Sequence, residues 1–489
     1  MPAPLRPMVI QGGMGVAVSS WQLARAVSRT GQLGVVSGTA LDIVLARRLQ
    51  DGDVGGHARR ALAAFPRTDV AEWVLDRYLR EDGRPAGAPY VPVPKLALTG
   101  TRKARELAVV ANFVEVFLAK EGHDGLVGVN YLEKVQLATP FAVLGAMLAG
   151  VDYVLMGAGL PRDIPQLLTH LAQGQPGSTH VTVDGSTAEH RMTVDPAEWC
   201  PHGTLQRPEF LAIISSDTLA AYLAREDVTR PDGYVVEGPT AGGHNAPPRG
   251  RLVRDEAGEP VYGPRDQANL ERMVSLGQPF WLAGSYGTPE RLAEALATGA
   301  AGIQVGTVFA LCEESGVSPH LRDSALAGLA EGRVTVSTDV AASPTGFPFK
   351  VAIVPSLPTA AQTQEHRARL CDLGVLRLPF QRPSGRIGYR CPGEPVDVFI
   401  GKGGTAEQTE GVACLCNALF ANVGLAQTRP DGYVEPPLLT LGSDLDGAGR
   451  LLAAHPGGWS AIQVVEWLVG AGVAAPHTSD GSEPRSIGG

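Results

Sequence analysis

Eight short apolar runs, most of them rich in β-branched residues, recur along the chain, and nearly every one empties into glycine or a small polar residue. Val9-Ile10 leads into Gln11-Gly12-Gly13-Met14-Gly15, and Val35-Val36-Ser37 into Gly38. Leu126 to Val129 ends on Asn130, Tyr153 to Met156 on Gly157, and Phe210 to Ile214 on Ser215. Tyr234-Val235-Val236 is followed by Gly242-Gly243-His244, Phe280 to Ala283 by Gly284-Ser285, and Ile303 to Val305 by Gly306-Thr307. Stretches with helical spacing separate the runs; Pro289 to Thr298, for example, has proline in its first turn and Gly299 past its end. Uninterrupted apolar strands are covered on both faces, as parallel strands are. An open doubly wound sheet has the same rhythm, but the gathering of glycines and polar residues after the strands favours closure. In a closed barrel those loops share one rim, where such folds place their sites. The expected fold class is α/β, a (β/α)8 TIM barrel with helical and β-ribbon insertions and a C-terminal extension.

Two passages break the rhythm. From about 39 to 121 the chain reads as helical, interrupted by the proline-rich stretch Pro85 to Pro94. From about 173 to 208, His180 to Val183 and Arg191 to Val194 alternate around Asp184-Gly185, as in a β-ribbon. Residues 1–350 are read as the barrel and 351–489 as an extension packed on it. In the latter, Pro355–Ala361 and Arg382–Pro395 look loop-rich, whereas Val412–Ala426 and Trp459–Ala471 look helical.

Composition excludes some partners. A net charge of −9 and no concentrated basic run argue against nucleic acid and for a small-molecule substrate. No apolar stretch is long enough to span a bilayer comfortably, and Met1 to Gln11 lacks the charged-then-apolar pattern of a secretory signal. A cytoplasmic location is expected, with no membrane partner; a homodimer stays open. Six cysteines are too sparse for a disulfide framework. Cys371, Cys391, Cys414 and Cys416 are spaced poorly for zinc modules, so buried free thiols are expected there and no metal.

The chemistry concentrates at the rim. Gly242-Gly243 lets the backbone approach a ligand, and His244 can exchange a proton near neutral pH. Ala283-Gly284-Ser285-Tyr286-Gly287 and Gln304-Val305-Gly306-Thr307 offer backbone N–H groups and hydroxyls after the last two strands, the usual phosphate cradle of such barrels.

Taken in order, Ile10 through Gly38, Gly128-Val129-Asn130, Ala241-Gly242-Gly243-His244, Leu282-Ala283-Gly284 and Gln304 through Phe309 with Cys312-Glu313-Glu314-Ser315 resemble the nitronate monooxygenase (2-nitropropane dioxygenase-like) family. These FMN-dependent TIM-barrel enzymes are related to flavin-dependent enoyl-ACP reductases, and Gln11-Gly12-Gly13-Met14 looks more like the enoyl-reductase branches. The resemblance spans roughly residues 7 to 350. It implies Gly13 and Met14 against a flavin ring, Asn130 hydrogen-bonding it, and Gly242, Gly243, Gly284, Gly306 and Thr307 around its phosphate. Ser215 and Ser285 join the cofactor-binding candidates as rim residues, and His244 is implied as the catalytic group. Thr240 stands where the family commonly has an acid, Ser285 where it has a further glycine, and Lys350 lies in a segment that only loosely echoes an arginine-bearing one. A lone Lys350 is expected to be solvated. The β-ribbon and the loop Asn245–Gly263 are expected to shape the pocket. The reading is an FMN-dependent oxidoreductase acting on an alkyl nitronate with O2. The alternatives are an NAD(P)H-dependent enoyl thioester reductase and a non-catalytic flavin- or phosphate-binding protein.

Overall fold

A computed structural model describes residues 6–200, 203–355, 357 and 367–470. Eight parallel strands make one sheet: β1 (Val9–Gln11), β2 (Gly34–Ser37), β3 (Val127–Leu132), β4 (Tyr153–Gly157), β7 (Glu209–Ile214), β8 (Gly233–Glu237), β9 (Phe280–Ala283) and β10 (Gly302–Val305). From β2 onward each pairs in parallel with the next in sequence, and β1 pairs with β10 in the register Ile10 to Gln304. The ring closes between β1 and β2, where Ile10 bridges Leu33 and the Gln11 amide donates to the Leu33 carbonyl at 3.0 Å.

Alternation along each strand divides the apolar residues between two cores. Ile10, Val35, Tyr153, Leu155, Leu211, Val235, Trp281 and Ala283 point inward and form one buried cluster that fills the bore. Trp281 closes its lower end, its indole N–H donating to the Pro7 carbonyl at 2.8 Å. Val9, Val36, Val129, Val154, Phe210, Tyr234 and Ile303 point outward into the larger cluster beneath the helices. Local chemistry sets the helix starts: Ser20, Ser216 and Thr288 accept from the amides of Leu23, Leu219 and Arg291 at the N-termini of Trp21–Ser28, Asp217–Leu223 and Pro289–Ala297.

The first excursion is helical, as expected, over Leu41–Gln50, His57–Ala63, Thr68–Tyr78 and Arg102–Lys120. The second contains the antiparallel ribbon of β5 (Gly177–His180) and β6 (Arg191–Val194). After the barrel, β11 (Thr335–Asp339) and β12 (Phe349–Ile353) form a hairpin that strand patterning had not suggested. A second hairpin, β13 (Leu378–Gln381) with β14 (Ile387–Arg390), lies partly in the stretch expected to be loop. Helices follow at Val396–Gly401, Leu415–Asn422, Asp446–Ala454 and Ala461–Val469. Most of the loop expected at Pro355–Ala361, and Ala471 at the end of the last expected helix, lie outside the described residues.

These late elements lock onto the barrel and the first excursion. The Arg47 guanidinium donates to the Leu425 carbonyl and lies over the rings of Tyr90 and Phe420, 4.8 and 4.7 Å from their centroids. Arg367 and Glu435 form an ion pair whose side chains are 2% and 0% exposed, so neither charge has water to fall back on. No helix among the described residues is long and apolar enough to cross a membrane.

Candidate functional site

A cavity of about 250 Å³ opens at the C-terminal rim of the barrel. Its floor is the next inward-facing layer above the apolar bore. Gln304 and Glu237 sit in this layer: Gln304 on the strand after β9, and Glu237 two residues beyond inward-facing Val235.

The loop after β1 is held open by buried polar side chains. The Gln11 side-chain oxygen accepts from the Val35 amide at 3.0 Å, and its NH2 donates to Ser19 Oγ at 2.8 Å. Ser19 Oγ in turn donates to the Gly12 carbonyl at 2.8 Å and accepts from the Met14 amide at 2.9 Å. The Gly12-Gly13-Met14 backbone is thereby presented to the cavity. Asn130 Nδ2 donates to the Gly13 carbonyl at 2.9 Å, and a Cβ on Gly13 would lie 2.3 Å from the Asn130 Cβ, so no side chain fits there. Asn130 Oδ1 and Gln304 Oε1 are buried and lack a hydrogen-bond partner, although both residues line the cavity. Buried acceptors in that condition need a donor.

The opposite wall is the stretch after β8. Gly243 adopts φ 77° and Gly284 φ 85°, conformations that cost glycine little. Ser285 is also left-handed at φ 59°, which gives the glycine usual at this position its physical reason; here the Ser285 hydroxyl donates to Thr240 Oγ1 at 2.9 Å. His244 hydrogen-bonds Ser343 Oγ through Nε2 at 2.7 Å and meets the Phe349 ring edge-on, centroids 4.9 Å apart. Its ring borders the cavity yet is enclosed by protein, and that burial pushes its pKa down to about 4, so the imidazole is neutral at pH 7. Glu237 has the same surroundings and the opposite response: burial pushes its carboxyl up to about 8.

The cavity brings together Gly13, Met14, Asn130, Gly242, Gly243, His244, Gly284, Ser285, Gly306 and Thr307. Ser215 is not among its walls; it lines a smaller adjoining pocket with Glu237 and Tyr262. Lys350 is neither solvated nor at the cavity. It is buried on β12, its ammonium donating to Thr338 Oγ1 at 2.6 Å, and burial lowers its pKa. The expected pocket shapers are also displaced: neither the β-ribbon nor Asn245–Gly263 borders the main cavity, and part of the latter lines the smaller pocket instead. Their place is taken by Val375, Leu376, Cys416, Phe420 and the segment Thr440–Gly442. That segment reaches the cradle directly. The Gly243 amide donates to Thr440 Oγ1 at 2.9 Å and the Gly442 amide to Thr307 Oγ1 at 3.0 Å. Gln11, Gln304 and Glu237 escaped sequence reasoning, although for Gln304 and Glu237 a polar residue at an inward position of an apolar strand is a readable signal.

A flat ring with polar edges fits this arrangement. Gly13 and Gly306 bring bare backbone to the cavity, and the unpartnered oxygens of Asn130 and Gln304 would accept ring N–H groups. Among the described residues the cavity lining contains no Lys or Arg, so an anion at Gly284, Gly306 and Thr307 would be held by amides and a hydroxyl.

Residues 200–343 match the sequence model of the nitronate monooxygenase family. That span carries Ala241-Gly242-Gly243-His244 and both halves of the glycine cradle, and over it the family resemblance and the reading as an oxidoreductase enzyme stand. No curated protein matches the chain. Among solved structures, FabK from Thermotoga maritima is 16% identical, covering 95% of this chain and 92% of that one, with a TM-score of 0.46. Nitroalkane oxidase from Streptomyces ansochromogenes is 15% identical over 95% of each chain, TM-score 0.43. The enoyl reductase domain of MlnA from Bacillus amyloliquefaciens is 12% identical over 95% and 94%, TM-score 0.46.

Proposed function

We propose, from a chain whose residues 200–343 carry the nitronate monooxygenase pattern, that the cavity binds FMN and oxidises an alkyl nitronate with O2. The observation that supports this most is His244, neutral at pH 7, on the wall of a cavity lined, among the described residues, by neither Lys nor Arg. Bound flavin would supply the electron acceptor and the route to oxygen. Every other task falls to the chain. Gly13, Met14 and Asn130 would seat the ring, with Asn130 Oδ1 and Gln304 Oε1 accepting from its edge. Thr307 and the amides of Gly242, Gly284 and Gly306 would hold the phosphate.

His244 would lie beside the substrate. Ser343 fixes its orientation through Nε2, so the imidazole is positioned without being charged. A neutral imidazole can take the α-proton of a nitroalkane, and an anionic nitronate alongside would raise its pKa towards the ordinary value. Glu237, protonated at neutral pH, adds no negative charge against that anion. Anaerobic mixing of the purified flavoprotein with ethylnitronate tests the reading: the flavin should bleach without NAD(P)H and recover in air. Bleaching by NAD(P)H alone, with reoxidation by an enoyl thioester, would replace it with the reductase reading.

A further inference from the structure

Cys371, Cys391, Cys414 and Cys416 come from three separate stretches of the extension and meet in one place. Arg369 assembles them. Its Nε donates to the Glu394 carbonyl at 3.1 Å, its Nη1 to the Val412 carbonyl at 2.9 Å, and its Nη2 to the Pro392 carbonyl. One side chain thereby ties the segment carrying Cys371 to residues just after Cys391 and just before Cys414. Asn417 adds a second tie, its Nδ2 donating to Asp372 Oδ1 at 2.7 Å and to Cys414 Sγ at 3.5 Å. Among the described residues, no group of three or more His, Cys, Asp or Glu side chains is placed to hold a metal ion.

The four thiols differ. Cys391, Cys414 and Cys416 are buried as expected, whereas Cys371 is partly exposed. Cys371 also holds φ 46°, a left-handed conformation that disfavours any non-glycine residue and that recurs at functional sites. Its sulfur is in hydrogen-bond contact with the Cys391 thiol, which lowers the Cys371 pKa and raises that of Cys391 well above the ordinary range. Burial and the Glu394 carboxylate oppose the fall at Cys371, while Lys95 and Lys402 add to it. Arg369 and Arg377 bring further positive charge beside the same sulfur. At Cys414 and Cys416 burial dominates and pushes the thiols up, which leaves them inert. An accessible sulfur that ionises easily, in contact with a buried thiol, is the arrangement of an attacking and a resolving cysteine.

We infer that Cys371 and Cys391 are a peroxide-reactive dithiol, in which Cys371 attacks a hydroperoxide and Cys391 resolves the product as a disulfide. The Cys371 thiolate takes one oxygen of hydrogen peroxide as the O–O bond breaks, giving a sulfenic acid and a hydroxide that picks up a proton. The Cys391 sulfur then attacks the Cys371 sulfur, and the sulfenic oxygen leaves as water with the Cys391 proton. Two thiols and one hydrogen peroxide become one disulfide and two waters. The inference does not rest on the reaction assigned to the main cavity.

The test is a thiol count on the purified protein, unfolded after brief treatment with equimolar hydrogen peroxide. Six thiols per chain should fall by two, and dithiothreitol should restore them. Peptide mass spectrometry without reductant should find Cys371 joined to Cys391. The rate of loss should level off at a lower pH than the rate for free cysteine. Cys391→Ser should stop at a sulfenic acid, trapped on Cys371 by dimedone, and Cys371→Ser should keep every remaining thiol. The count and the pH profile use the unmodified protein, so they decide even where a variant does not fold. Six thiols surviving peroxide, a disulfide through another pair, or loss that persists in Cys371→Ser would overturn the inference. So would stoichiometric zinc or iron in the purified protein that Cys371→Ser no longer holds.

Discussion

His244 and Glu237 border one cavity and are both kept neutral by burial, so they impose opposite dependences on pH. For His244 the folded value of about 4 lies below the ordinary 6.5, so the unfolded chain takes up its proton first as the solution is acidified. Its contribution is full above pH 6.5 and is lost as pH falls towards 4. Glu237 runs the other way: with a folded value of about 8 against an ordinary 4.5, its contribution is full below pH 4.5 and is lost as pH rises through 8. Thermal melting of the flavin-free protein from pH 4 to 9 should show Glu237→Gln removing the alkaline part of the decline and leaving the acid part. Equal alkaline decline in both proteins would contradict this. His244→Asn should keep its flavin and fold and lower turnover on the order of 10²–10⁴-fold, measured by steady-state oxygen consumption. Near-normal turnover would move the catalytic role elsewhere on the rim. At this scale the sequence was readable where a residue type has one use. Gly13, Gly243 and Gly284 announce close backbone approach, and each lines the cavity. Ser215 did not follow, because its place after a strand says nothing of which of two adjoining pockets it faces.

The barrel strands were legible because each is apolar on both faces and punctuated by glycine, and their order around the ring is their order along the chain. The hairpins of β11 with β12 and β13 with β14 were not. Phe380, one of four residues in β13, has its partner strand supplied by a segment whose Gly385 and Gly388 read as loop, and pairing across a turn is a tertiary fact. Two substitutions test how elements meet. Gly13→Ala puts a methyl 2.3 Å from Asn130 Cβ, so the β1 loop or the β3 end must move; flavin retention after gel filtration should fall at least tenfold. Gly447→Ala would set a Cβ 2.2 Å from the Gly287 carbonyl, prising Asp446–Ala454 off the loop after β9. Because the obstacle is backbone, a loss on the order of 1–3 kcal/mol in denaturant stability is expected. An unchanged midpoint would show that this helix is not docked there.

Over the whole molecule, the site is assembled from parts that are remote in sequence. The β1 loop and the end of β3 supply one wall, the stretch after β8 the opposite, histidine wall, and Thr440 and Gly442 reach the proposed phosphate cradle from the far end of the chain. Such convergence cannot be read along a sequence, since no local pattern ties Thr307 to Gly442 135 positions away. It explains why the β-ribbon looked like the pocket's border while Val375, Phe420 and Thr440–Gly442 occupy that place. The proposed function depends on a flavin seated between Gly13 and His244 that takes electrons from a nitronate. The most direct measurement is the visible spectrum of the purified protein before and after anaerobic addition of ethylnitronate. The account predicts an FMN spectrum, released intact on denaturation, that bleaches on nitronate alone and returns on admission of air. A colourless protein that cannot be loaded with FMN, or a flavin that nitronate leaves oxidised, would contradict it.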